Sequence, residues 1–179
     1  MESGTTVVVG AAHGIGAAIA HRVARELWTN RLVLAGISNA EMDSLASTLR
    51  SDRLQVDVLH VDLADECSIA ALVEKSNEAE RVAIASGIYI SSSALTTSRA
   101  EIDSVLAINL YGVFFTAQHY ARAMISRKSG SIVAIGSISG RFPRLGQVAY
   151  GASKAGMRQA PPVSAKKSAR IKETRGCNR

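Results

Sequence analysis

Thr5-Thr6-Val7-Val8-Val9-Gly10-Ala11-Ala12-His13-Gly14-Ile15-Gly16 decides how this chain is read. The β-branched run is short and stops at glycine, which suits a strand buried on both faces of a parallel sheet. The glycines after it allow a sharp turn and let a phosphate approach the backbone. A helical pattern then runs from about Ile15 to Leu27. Ile15, Ile19, Val23 and Leu27 recur every four residues and are expected on one helix face. A helix start just past a strand offers free amide hydrogens and a positive dipole end to a diphosphate. The spacing is G-x-x-x-G-x-G rather than the commoner G-x-G-x-x-G, and no Gly-Lys-Ser/Thr of a P-loop follows. Taken alone, the stretch is also compatible with a tight turn that holds no ligand.

Outward from this stretch, strands and helices alternate. Strands are expected at 31–35, 54–61, 82–85 and 131–135. Helices are expected at 40–49, 65–75, 99–127 and through Tyr150, Ser153 and Lys154. The alternation signals βαβ units with right-handed crossovers, hence an α/β fold with a doubly wound, Rossmann-like parallel sheet. Gly112 falls inside the long helical pattern and marks a kink or a close contact. The pattern breaks near residue 160, where Pro161-Pro162 cannot continue a helix. Residues 1–160 therefore read as one dinucleotide-binding catalytic domain. Residues 161–179 read as a basic, frayed or disordered tail.

The composition of the 179 residues, 47% hydrophobic and 20% charged, excludes a disordered polymer, a collagen repeat and a disulfide scaffold. The tail carries six basic side chains and one acidic one, so it holds +5 of the net +6. The domain itself is nearly neutral, which argues against nucleic acid as a partner. No run of about 18 apolar residues is found, so no membrane span is expected. The start Met1-Glu2-Ser3-Gly4 lacks a basic region, and Cys67 and Cys177 lie far apart. Both point to a reduced, cytoplasmic setting. Cys67 lies in a helical pattern and reads as a small packing residue. No metal is called for.

Tyr150 and Lys154 are four apart and share a helix face. An ammonium beside a phenol favours the phenolate, which makes the phenol a usable proton donor or acceptor. Ser137 ends the strand at 131–135, and ligands in open parallel sheets bind beyond the carboxyl ends of strands. Ser139 is its rival.

Taken together, in this order and at these distances, the three sites resemble the short-chain dehydrogenase/reductase family over roughly residues 5–157. Gly10, Gly14 and Gly16 match its glycine motif, with Val9 where Thr is usual. Asp62 matches the acid near adenine, and Asn109 the asparagine of the long helix. Ser137, Tyr150 and Lys154 match the remaining catalytic positions. The resemblance implies that Tyr150 exchanges a proton with the substrate oxygen. It implies that Lys154 activates the phenol and holds the nicotinamide ribose. Ser137 would position the substrate oxygen, and Asn109 would support a water chain feeding Lys154. The implied reaction is hydride transfer between a nicotinamide and a carbonyl or alcohol carbon.

The resemblance also extends the cofactor site. Gly10, His13, Gly14, Ile15, Gly16, Ser38, Asp62, Gly87, Tyr150 and Lys154 would line it. No carboxylate ends the second strand (Ala35-Gly36-Ile37-Ser38), so a 2′-phosphate meets no repulsion there, and Ser38 and His13 could bond it. Ile37 stands where NADP-preferring relatives often place Arg. NADP is expected, with NAD as the alternative. Two departures stand out. The family's Asn-Asn-Ala-Gly reads Ile84-Ala85-Ser86-Gly87 here. Family members also continue about a hundred residues past the Tyr-Lys motif, whereas here the resemblance fades after Gly156. The expectation is a truncated or altered C-terminus, an incomplete sheet and a missing substrate lid. The partner would be a small carbonyl or alcohol, with a homo-oligomer left open. The competing reading is a catalytically impaired nucleotide-binding or interaction module.

Overall fold

The computed structural model describes residues 4–159 and 171–174. Six parallel strands form one sheet: β1 (Gly4–Val9), β2 (Thr29–Gly36), β3 (Gln55–His60), β4 (Arg81–Ile84), β5 (Ser131–Ile135) and β6 (Ile171–Thr174). Their order is β3-β2-β1-β4-β5-β6. The order reverses direction beside β1, so the ends of β1 and β4 frame the crevice where such folds take ligands. All six residues of β1 are buried, as its short β-branched run predicts.

Helices cover both faces: α1 (Gly14–Ala24), α2 (Asn39–Leu49), α3 (Glu66–Lys75), α4 (Arg99–Leu106), α5 (Val113–Arg127) and α6 (Val148–Gln159). One core cluster gathers Val8, Ala20, Val23, Leu32, Leu34, Met42 and Ala46 between the sheet and α1 and α2. The other gathers Val7, Val9, Val82, Ile84, Ile132, Val113, Ala117, Tyr120 and Met124 on the opposite face. The expected doubly wound architecture is present.

Several expectations are corrected. The buried stripe of α1 is Gly16, Ala20 and Val23, while Ile15 is 58% exposed. Steps of four drift around a helix of 3.6 residues per turn, and small side chains let α1 approach the sheet closely. Leu27 lies beyond the helix end and is 79% exposed. Cys67 is exposed on α3 rather than packed. The single long helix is interrupted by a π-helical segment, Ala107–Gly112, between α4 and α5. A Cβ on Gly112 would collide with the Leu63 carbonyl, so glycine is needed for this close crossing.

Met157 lies within α6, which runs on to Gln159, past the point where the helix was expected to fade. Ile171–Thr174, expected in the frayed tail, adds a strand parallel to β5, with Ile132 opposite Ile171 and Ile135 opposite Thr174. Pro161-Pro162 and the rest of the tail lie outside the described residues. Among the described residues, Arg99–Arg127 is one helix long and apolar enough to cross a membrane by length and composition alone. No such run was expected from the sequence. The helix buries Val113, Thr116, Ala117, Tyr120, Ala121 and Met124 against the sheet side of the core.

Candidate active site at the strand ends

Because the sheet is parallel, the segments that follow each strand emerge along one edge. The glycine turn, Ser38, Asp62, Gly87 and Ser137 all lie there. The turn is pinned by backbone bonds: Gly10 N–H and Ala11 N–H donate to Ala35 O at 2.7 and 3.2 Å, and Ala85 N–H donates to Val9 O at 2.8 Å. Gly10 has φ +81° and Gly14 φ +59°, left-handed conformations that glycine adopts without strain. A Cβ on Gly10 would stand 2.6 Å from Ser86 N, and one on Gly16 would run into the Gly10 carbonyl. The start of α1 therefore sits directly on the turn.

This helix start is uncapped. His13 occupies the N-cap position without a side-chain cap bond, and the first turn holds no acidic residue. Beside Gly14 a Cβ would meet nothing within 4 Å. Free amides, a positive dipole end and open space fit the diphosphate of a dinucleotide.

The other expected cofactor positions follow along the edge. Ser38 is the N-cap of α2, and its hydroxyl makes no cap bond. Ile37 beside it is 69% exposed. Glu41 in the first turn of α2 is an acid that the sequence reading did not weigh. Asp62 is exposed just past β3, and its Oδ1 accepts the Ala64 N–H at 2.8 Å.

Asn109, Tyr150 and Lys154 come together past β4, and Ser137 follows the end of β5. Lys154 is 5% exposed, and its Nζ donates to Ile135 O at 3.0 Å. Burial holds its ammonium below the ordinary lysine range. The same nitrogen lies 5.9 Å from the centre of the half-buried Tyr150 ring. Ser137 caps the short 3-10 turn Ile138–Gly140, accepting the Ser139 N–H at 3.2 Å. The rival Ser139 is buried and donates to Gln147 Oε1 at 2.6 Å, so its hydroxyl proton is committed.

Asn109 sits on the π segment, fully buried. Its Oδ1 accepts Ile88 N–H and its Nδ2 donates to Ile88 O, both at 2.8 Å. Nδ2 also reaches Ser153 Oγ at 3.2 Å. The π segment thus aims the amide at the loop after β4, a use typical of such bulges. Gly87 joins this cluster, because a Cβ there would stand 3.2 Å from Asn109 Oδ1 and 3.6 Å from Lys154 Nζ.

Two neighbours escaped the sequence reading. Ser153 donates to Tyr150 O at 2.7 Å, and its place between Tyr150 and Lys154 was the only signal for it. The Tyr89 ring packs edge-to-face on Tyr150 at 5.4 Å between centroids, and nothing in its local sequence marks it. A cavity of about 570 Å³ opens between Ser91–Ala94 and Pro143–Val148. Its two walls are tied by Ser92 N–H to Gly146 O at 3.2 Å.

Comparison with known proteins agrees with this geometry. A 3-oxoacyl-(acyl-carrier-protein) reductase of Rickettsia prowazekii is 31% identical over 153 residues, covering 86% of this chain and 61% of the relative. The chain thus spans about three fifths of that relative's length. Among solved structures, a metagenomic short-chain oxidoreductase in complex with NADP superposes with a TM-score of 0.87 at 26% identity, covering 97% of this chain and 82% of that one. A short-chain dehydrogenase from Sphingobium yanoikuyae in complex with NADPH gives a TM-score of 0.76 at 30% identity, covering 86% and 61%. The family model for short chain dehydrogenases matches residues 4–170, past the Gly156 limit expected from the motifs alone. A strand-end edge that gathers Gly10, Gly14, Gly16, Asn109, Ser137, Tyr150 and Lys154, together with that match, places the chain in the short-chain dehydrogenase family.

Proposed function

We propose that the chain is an oxidoreductase that interconverts a carbonyl and an alcohol with NADP(H). The observation that carries this reading is the buried Lys154 ammonium beside Tyr150, on the same edge as the uncapped start of α1. When bound, the nicotinamide supplies a hydride to the carbonyl carbon, or accepts one from the alcohol carbon. Tyr150 gives the substrate oxygen its proton in reduction and takes it back in oxidation. A buried ammonium favours that exchange because it stabilises the phenolate left behind. Ser137 keeps its hydroxyl proton available to hydrogen-bond the substrate oxygen. Gly10, His13, Gly14, Ile15 and Gly16 take the diphosphate, and Asp62 lies toward the adenine end. The cavity between Ser91–Ala94 and Pro143–Val148 gives the rest of the substrate a place.

The preference for NADP rests on the uncharged end of β2 and the unused Ser38 hydroxyl, and on solved relatives that hold NADP or NADPH. Glu41 pulls against it. Titrating NADPH and NADH against the protein's fluorescence tests the choice, with tighter NADPH binding expected; tighter NADH binding overturns it.

The activity is tested with a panel of ketones and alcohols. Tyr150→Phe is expected to lower turnover by about 10²- to 10⁴-fold, the usual worth of a positioned proton donor, a far larger change than in the NADPH Kd. Equal turnover in variant and wild type refutes the role of Tyr150. A second reading, a nucleotide-binding module without turnover, is favoured by one observation: Val133 and Ile135 on β5 are only partly buried, so among the described residues that part of the sheet face is not sealed. Tight NADPH binding with no turnover on any substrate selects it.

A further inference from the structure

Tyr89 is 52% exposed and belongs to no strand or helix, yet its ring is held against Tyr150 at 89°. A closed circuit of contacts fixes that meeting. Tyr89 follows Ile88, whose N–H and C=O are both bonded by the Asn109 amide. Asn109 reaches Ser153 Oγ, and Ser153 in turn donates to the Tyr150 carbonyl. Two buried side chains, Asn109 and Ser153, therefore tie the backbone next to Tyr89 to the backbone of Tyr150, and the two rings close the loop. Both Nδ2 protons and one Oδ1 lone pair of Asn109 are used in this circuit or on Ile88, so its geometry is that of a clamp.

We propose that Tyr89 is a positioning residue for Tyr150: its edge-to-face contact, registered by the Asn109 clamp, sets the direction of the Tyr150 hydroxyl. An edge-to-face pair restrains ring rotation because the positive edge of one ring seeks the negative face of the other. Tyr89 itself transfers nothing. The idea rests on Tyr150 being the proton donor.

The test uses Tyr89→Ala and Tyr89→Phe in the full chain, with Tyr150→Phe as control and thermal unfolding as the check on folding. Two readouts are taken: steady-state kinetics with NADPH, and nitration of Tyr150 by tetranitromethane without substrate, followed by mass spectrometry. Tyr89→Ala is expected to lower kcat about tenfold, the scale on which small misplacements of a reacting group act. Its NADPH Kd should stay the same, and Tyr150 should nitrate several-fold faster. Tyr89→Phe keeps the ring edge and is expected to rescue both. Unchanged kcat and nitration in Tyr89→Ala overturn the proposal, as does a Phe variant as defective as the Ala one. If the wild type turns over nothing, the reading of Tyr150 fails, while the nitration ratio still judges the contact with Tyr89.

Discussion

Val8 and Val133 stand in the same row across the sheet, linked through Ala83 by the strand registers, yet one is sealed and the other half-open. Val8 joins Leu34, Ala20 and Met42 beneath α1 and α2. Ala83 lies at the margin of that cluster, and Val133 lies beyond it. The two halves are therefore held differently. The nucleotide half is fixed by backbone bonds at the glycine turn and by burial on both faces. The catalytic half is fixed by side-chain bonds: Asn109 to Ile88, Lys154 to Ile135, and Ser139 to Gln147. Packing makes the first half intolerant of polar change and of altered volume alike. The second half should yield more readily to small changes of volume.

Glycine substitutions give the sharpest break between the halves. In Gly16→Ala the new methyl meets the Gly10 carbonyl, which is backbone and cannot swing aside. A loss of about 3 kcal/mol is expected, at the upper end for overpacking. In Gly87→Ala the methyl meets Asn109 Oδ1 at 3.2 Å and Lys154 Nζ at 3.6 Å, both side-chain atoms. The expected loss is under about 1 kcal/mol, because these neighbours need to yield by only tenths of an ångström. Urea unfolding of both variants measures the difference, and equal losses would erase the distinction between the halves.

Matched truncations within the shared row come next in size. Val8→Ala removes two methyl groups from a sealed site and should cost about 2 kcal/mol. Val133→Ala removes the same atoms from a partly wet site and should cost less than about 1 kcal/mol. A Val133→Ala cost as large as that of Val8→Ala would mean that the β5 end of this face is covered in solution.

The same contrast explains how far the sequence could be read. The alternation of strands and helices and the glycine turn were legible because the β-branched run of β1 is short and stops at glycine. The four-residue spacing of Ile15, Ile19, Val23 and Leu27 misled because α1 packs through Gly16 and Ala20, and small residues carry no hydrophobic signal. Cys67 misled because its neighbours Ile69, Leu72 and Val73 supply the buried face of α3. In the catalytic half, Tyr150, Lys154, Ser137 and Asn109 were legible as a spaced set. The clamp on Ile88 and the Tyr89 contact were not, because they depend on a π segment that no short-range pattern announces. The strand at Ile171–Thr174 was hidden by its polarity, since pairing with β5 is a backbone matter.

Lys154 offers the smallest and most specific test of how the catalytic half is held. Burial lowers its pKa in the folded protein. Below that folded-state pKa, both folded and unfolded chains carry the proton, and the cost of burying the charge is fully present. As pH rises toward the ordinary lysine value of 10.5, the folded protein sheds its proton first. Stability contributed at this site therefore rises with pH across that window and is level above it. Lys154→Met lacks the titration, so the wild type should gain stability relative to the variant as pH increases through the window. Urea unfolding of both proteins along a pH series reads this directly, and parallel curves would show that the ammonium is solvated rather than buried. At neutral pH the variant loses the bond to Ile135 O but also the desolvation cost, and these oppose each other. Its net change should therefore be smaller than either glycine or valine effect in the nucleotide half. A variant no less stable than the wild type would mean that Lys154 adds nothing net to folding, the expected signature of a group kept for chemistry.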